Sequence, residues 1–165
     1  VETVNLQLQV LQNVIASHYE YTGDAENYDD LRNANLIHVI ERRKGLPVSL
    51  GILYIQVGRK LEWDVAGLDF PGHFLCRIQE NGQRLIFDPF NDASVLEAPD
   101  LRALVKKVKG PSAELSAIYF EPSENRAILL RLQNNIKYRQ IEMEDYISAL
   151  ATVEAMRLIA PEEYR

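Results

Sequence analysis

Pro71-Gly72-His73-Phe74-Leu75-Cys76-Arg77-Ile78-Gln79-Glu80-Asn81-Gly82-Gln83-Arg84-Leu85-Ile86-Phe87-Asp88-Pro89 is the stretch that decides the fold. Two strand-like runs flank Asn81-Gly82, and Asn-Gly is the strongest short hairpin signal. With those two residues as the loop, Glu80 faces Gln83, Leu75 faces Asp88 and His73 faces Phe90. Phe74, Cys76, Ile78, Leu85 and Phe87 then share one apolar face, the core side. Cys76 reads as a small hydrophobe whose thiol burial makes less acidic. His73 and Asp88 fall on the other face as diagonal neighbours. A carboxylate beside an imidazole fixes its tautomer, which is the base-and-orienter half of a nucleophilic triad. A slip of one residue in the pairing would exchange the two faces.

Working outward, residues 65–70 read as a strand turned by Pro71-Gly72. Ahead of it, Pro47 opens a helix over 48–60, apolar on more than one side and expected to be central and buried. An N-terminal helix is expected with its apolar face on Leu6, Val10, Val14, Leu11 and Ile15 and its end near Tyr21-Thr22-Gly23. A second helix carries Leu36, Ile37, Val39 and Ile40 and is expected to close on Arg42-Arg43-Lys44-Gly45. A short helix is predicted over 100–107. Beyond the joint Gly110-Pro111-Ser112, two amphipathic helices form a hairpin, one through Ile128, Leu129, Leu132 and Ile136, the other from Tyr146 to Leu158 and ended by Pro161. The fold class is α+β, with a core over 1–110 and a helical hairpin over 111–165.

The composition is 47% hydrophobic and 25% charged, ordinary for a globular protein. A net charge of −6 argues against nucleic acid as a partner. The basic runs Arg42-Arg43-Lys44 and Lys106-Lys107-Lys109 are short and read as solvated helix ends. With one cysteine in the chain, no internal disulfide and no cysteine-based zinc site can form, which suits a reducing cytoplasm. No apolar run reaches membrane-spanning length, no membrane partner is expected, and no signal peptide is visible. The chain starts at Val1 rather than Met and stops at Arg165 inside a charged run, which reads as a trimmed protein.

Gly45-Leu46-Pro47, the helix to Lys60-Leu61, His73-Phe74-Leu75 and Asp88-Pro89 together resemble the transglutaminase-like core of the transglutaminase and cysteine-protease (papain-like) superfamily. There a Gly-x-Cys opens a central helix, a His begins a strand and Asp-Pro follows on the next. The resemblance implies a central buried helix packed on a small antiparallel sheet. It puts His73 at the histidine position and Asp88 at the aspartate position, while the cysteine position falls on Pro47, which has no nucleophile. Ser49 lies two residues further, about 200° round the helix, and is expected to face elsewhere. Closer still is the SirB-type branch, matched by Asn33-Ala34-Asn35-Leu36, by Arg43-Lys44-Gly45-Leu46-Pro47-Val48-Ser49-Leu50, by Pro71-Gly72-His73-Phe74-Leu75 and by Asp88-Pro89-Phe90. In that branch a tail similar to a tetratricopeptide repeat follows the core, and Asn134-Asn135-Ile136 through Pro161 looks like its start. The branch takes its name from regulation of virulence genes in enteric bacteria. Related cores occur in a eukaryotic F-box protein, where they serve protein interaction.

These readings favour a catalytically inactive, regulatory module that binds a protein or peptide. The alternative is a residual hydrolase or acyl transferase in which His73 and Asp88 act with water, Ser49 or Cys76. A metal site from His73, Asp88 and Asp92, with His38, matches no standard spacing, so neither metal nor cofactor is expected. His73 and Asp88 read equally as a hydrogen-bonded pair that fixes the hairpin ends. Trp63, Tyr19, Tyr21, Tyr28 and Tyr54 read as core or rim. The helical hairpin is expected to expose apolar surface, which favours self-association.

Overall fold

The computed structural model describes residues 3–163. Helix α1 (Val4–Leu11) begins at Thr3, whose hydroxyl accepts from the Leu6 N–H at 3.4 Å, and continues as a π-helical stretch, Gln12–His18. Its buried row is Val4, Leu8, Leu11 and Ile15, whereas Leu6 is 51% exposed and Val10 and Val14 also face out. Leu11 and Ile15 therefore mark the core face and the Leu6–Val10–Val14 row does not. The helix carries two apolar rows, and periodicity alone cannot rank them.

Two short strands, β1 (Thr22–Gly23) and β2 (Lys44–Gly45), pair in parallel on either side of a 3-10 turn (Leu31–Ala34) and helix α2 (Leu36–Arg42). Asn35 caps α2 by accepting from the N–H groups of Ile37 and His38. The helix stops at Arg43, whose φ of 58° lies in the left-handed region. Gly45, the expected stop, instead pairs with Gly23 in β2. A Cβ at Gly45 would lie 2.7 Å from the Ser49 hydroxyl, so the glycine is needed for close approach.

Helix α3 (Pro47–Lys60) has Pro47 in its first turn. The main sheet follows as β3 (Asp64–Phe70), β4 (His73–Glu80), β5 (Gln83–Asp88) and β6 (Ser94–Val95), antiparallel in that order. Glu80 pairs with Gln83 and Cys76 with Phe87, the register the Asn81-Gly82 turn predicts. One face of the sheet, with Val65, Phe74, Cys76, Ile78 and Phe87, packs on α3 and α1 in the main core. The other face is not left to solvent: Leu68, Phe70, Leu75 and Ile86 pack on Leu101 and Val105 of α4 (Ala98–Lys109). The sheet is thus a middle layer, which a hairpin judged by its more apolar face does not reveal.

A second 3-10 turn (Ala117–Phe120) leads to α5 (Asn125–Glu142) and the antiparallel α6 (Tyr146–Ile159). Ile128 and Leu132 of α5 enter the main core, and Arg139 donates to the Tyr28 carbonyl at 3.1 Å. Helices α1 and α3, the sheet and α5 therefore share one core across the Gly110 joint. Leu130, Met156 and Ala160 form a separate small cluster between α5 and α6. On the outer side of α6, Ile147 and Leu158 are 87% and 86% exposed. Among the described residues no helix is long and apolar enough to cross a membrane.

Helix and sheet approach closely at Phe74. A Cβ added at Gly51 of α3 would clash with the edge of the Phe74 ring, and one at Gly67 of β3 would come within 2.6 Å of it. Phe74 is 2% exposed and has no room to retreat. Gly51→Ala is expected to cost about 1–3 kcal/mol of stability by overpacking, read as a lower urea midpoint at unchanged slope. A midpoint equal to wild type would show that α3 does not press on β4 as described.

Candidate functional site

The site is built on the first turn of α3, and that turn is fixed by buried hydrogen bonds. The Ser49 hydroxyl accepts from the Leu46 N–H at 2.9 Å, and its single proton goes to the carbonyl of Asn33 (2.8 Å) or Leu46 (3.0 Å). The Leu46 N–H also reaches the Asn33 carbonyl at 3.1 Å. Asn33, itself fully buried, donates to the Asn27 carbonyl and accepts from Arg42, which in turn pairs with the buried Asp24. Asn33, Gly45 and Ser49 of the sequence blocks, with Arg42 just ahead of the second block, therefore form a socket for the start of a helix. Arg42 is a structural cation inside that socket, not a solvated helix end.

Above this turn lies a cleft of about 450 Å³. Leu46, Pro47 and Val48 form one wall, His73 and Phe74 at the start of β4 a second, and Asp88, Phe90 and Asn91 at the end of β5 a third. Pro47, His73 and Asp88, far apart in sequence, thus border one space. Its volume is in the range of small-molecule and side-chain pockets. Tyr28 and Phe90, packed edge to face at 5.6 Å, stand on one side. Arg131 and Asn135 of α5 complete the enclosure.

His73 and Asp88 share the cleft without a hydrogen bond or ion pair between them among the described residues. Asp88 spends one oxygen on the Phe90 N–H (2.9 Å) and the other on the Asn91 side chain (2.6 Å), which shapes the turn after β5. It acts on His73 through its charge alone. Burial is the largest influence on His73 and pushes its pKa below the ordinary histidine value; Asp88 opposes this, and the Lys107 and Arg131 cations reinforce it.

The other predicted site residues lie elsewhere. Ser49 is fully buried and its hydroxyl is committed to the socket. Cys76 is fully buried under the middle of α3, 3.3 Å from where a Gly51 Cβ would sit, and burial, with a smaller contribution from Asp88, holds its thiol protonated. Asp92 accepts from the Thr22 hydroxyl, and His38 pairs with Glu41 on the exposed side of α2. Among the described residues no cluster of three or more His, Cys, Asp or Glu side chains is placed to hold a metal ion. Sequence reasoning missed Arg131 altogether, took Tyr28 only as a core or rim residue and Asn135 only as part of the tail, and placed none of them at the cleft. None lies in the blocks that carry the triad-like positions, and nothing in the amphipathic pattern of α5 distinguishes a polar residue facing a cleft from one facing water.

A family model described as the transglutaminase-like superfamily matches residues 2–134. The chain belongs to the transglutaminase-like superfamily. The superfamily match runs through the Gly110 joint and past Arg131, so it takes in every wall of the cleft but Asn135. The chain is 35% identical to a UPF0162 protein of Xylella fastidiosa over 134 residues, 79% of this chain and 48% of that protein. It is 34% identical to a UPF0162 protein of Vibrio cholerae over 144 residues, 87% of this chain and 53% of that one. It is also 31% identical to mouse F-box only protein 21 over 91 residues, 53% of this chain and 14% of the relative. The chain spans about half the length of the UPF0162 relatives it matches. No solved structure matches it.

Two measurements check this transglutaminase-like site. Ser49→Ala removes the buried hydroxyl that links the Leu46 N–H to the Asn33 carbonyl at the start of α3, with an expected loss of about 1–3 kcal/mol in denaturant unfolding; a loss within error of zero would show that this hydroxyl does not hold the helix start. His73, followed by NMR, is expected to titrate below an ordinary histidine, lower still in Asp88→Asn and higher in Arg131→Gln. Because the unfolded chain then binds the proton more readily, His73 costs stability as pH falls from the ordinary histidine value toward its folded value, and costs none above it. Titration at or above the ordinary value would contradict the electrostatics described.

Proposed function

We propose that this domain is a catalytically silent member of the transglutaminase-like superfamily and acts as a regulatory, protein-interaction module. It receives a protein or peptide segment in the cleft of Pro47, His73 and Asp88. The observation that carries the reading is that convergence, with proline at the position where the resemblance expects the nucleophile. The chain's one cysteine is buried beneath α3, a full turn from the helix start that would activate a thiol. With Ser49 and Cys76 both committed elsewhere, a residual hydrolase or acyl transferase would have only water as its nucleophile. The cleft does have the make-up of a binding pocket: apolar walls, an aromatic pair and a few convergent polar groups.

The exposed apolar residues of α6 supply a second contact face, in keeping with a SirB-type core that leads into tetratricopeptide-like helices, whose units expect neighbours to cover them. The likeness to F-box only protein 21 suits an interaction role. A cytoplasmic setting suits a chain with a single, buried cysteine.

The test is Pro47→Cys. A thiol placed there sits at a helix N-terminus beside His73, and it is expected to react with iodoacetamide at pH 6 at least about tenfold faster than a free thiol of ordinary pKa, and to slow in the His73→Ala background. The native chain is expected to release no ammonia from glutamine peptides and to hydrolyse no ester. Hydrolysis that disappears in His73→Ala would overturn the reading. So would a Pro47→Cys thiol indifferent to His73.

A further inference from the structure

The cleft's polar atoms divide sharply into those already hydrogen-bonded and those left open. Both oxygens of Asp88 are engaged by the turn after β5. Asn135 is engaged at both ends, donating to the Arg131 carbonyl at 2.9 Å and accepting from Arg139 at 3.1 Å. Asn91 spends one amide N–H on Asp88 and keeps its side-chain oxygen as an open acceptor among the described residues. What remains is chiefly donor. Arg131 gives one terminal nitrogen to Asp69, and among the described residues its Nε and other terminal nitrogen meet no acceptor. The His73 ring likewise has no partner among the described residues. A cationic ligand would find the cleft's carboxylate already occupied, whereas an anionic one finds a planar fork of open donors.

Arg131 is also held in place. Its guanidinium lies over the Phe74 ring, 5.7 Å from the centroid, with Phe74 wedged between Gly51 and Gly67, and Asp69 fixes the far side. A pre-positioned guanidinium loses little freedom on pairing, which suits two-point recognition of a carboxylate. Two further hollows, of about 390 and 600 Å³, border the same residue on its other sides. Three concavities that meet at one arginine suit an extended chain crossing it better than a compact molecule filling one of them.

We propose that the cleft recognises a carboxylate on an extended peptide, received by the open donors of Arg131 beside His73. This rests on the binding-module reading above and names the ligand chemistry of the same cleft. The carboxylate belongs either to an acidic side chain or to a peptide C-terminus, and both present the same two oxygens.

The experiment titrates the 15N-labelled chain with acetyl-Gly-Gln-amide, which has no carboxylate, acetyl-Gly-Glu-amide, which has one on the side chain, and acetyl-Gly-Gln with a free C-terminus. At least one acid is expected to shift the signals of Gly72, His73, Phe74 and the Arg131 Nε–H and to bind at least about tenfold more tightly than the neutral amide. The acid that does so identifies the source. Arg131→Gln is expected to bring that acid down to the level of the amide, while Asp69→Asn, which removes the ion pair and keeps the guanidinium, retains the preference. Equal binding of all three probes in the cleft would overturn the carboxylate inference and leave the binding module standing. An acid preference that survives Arg131→Gln would overturn it as well. No perturbation of the cleft by any probe would overturn both.

Discussion

The close approach of α3 to β4 is the constraint on which the rest of the structure depends. Gly51 lets the helix settle onto Phe74, and seven residues on, Gly58 does the same against Val65. Positions 47, 51 and 58 fall on or near one stripe of the helix, so the face that lies on the sheet also carries Pro47 to the sheet's end. There it meets the first residue of β4 and the last of β5. Cys76 is covered by the middle of the same helix, one turn from the end where the backbone N–H groups and the dipole would favour a thiolate. One packing event thus forms the cleft and withdraws the thiol from it.

The start of α3 is held by side chains that look catalytic in type but serve the backbone. A serine two residues past the nucleophile position invites a role in chemistry, yet its hydroxyl is consumed by Leu46 and Asn33. Asn33, Arg42 and Asp24 extend that network beneath the helix. Polar groups so deeply buried are costly unless fully paired, and here they are paired with one another and with carbonyls. The effect is a rigid rim. The position of Pro47 relative to His73 is set by interior hydrogen bonds, not by the sequence of the rim.

Where two strands face each other across a tight turn, the chain was legible. The Asn81-Gly82 turn set the pairing, the pairing set the parity, and parity placed Cys76 on the core face and His73 and Asp88 on the opposite one. Where a choice between two apolar rows was needed, it was not: α1 buries the row of Val4 and Leu8 and leaves Leu6 in solvent. The second buried face of the sheet, against α4, was hidden because Arg77 and Gln79 interrupt its apolar run at the far end of β4. The stop of α2 was misplaced because a left-handed arginine carries no signal that glycine would. Arg131 was out of reach for a different reason. Nothing local says that a helix after the Gly110 joint folds back over the start of β4, since that depends on Ile128 and Leu132 finding the main core.

That return of α5 changes what the cleft is. Without it, His73 and Asp88 would be two polar groups at the open end of a hairpin, and the resemblance to a triad would be the main thing to say of them. With it, the imidazole lies between a carboxylate whose oxygens are occupied and two cations, and its pKa falls below the ordinary value. A histidine placed so is mostly neutral at neutral pH and offers one donor and one acceptor. The carboxylate sets the field without orienting the ring. These are poor conditions for a proton relay, which needs the orienting hydrogen bond, and good ones for a fixed polar surface. The same residues that would serve chemistry in a complete triad here border a cleft whose fixed cation, Arg131, comes from a helix outside the motif blocks.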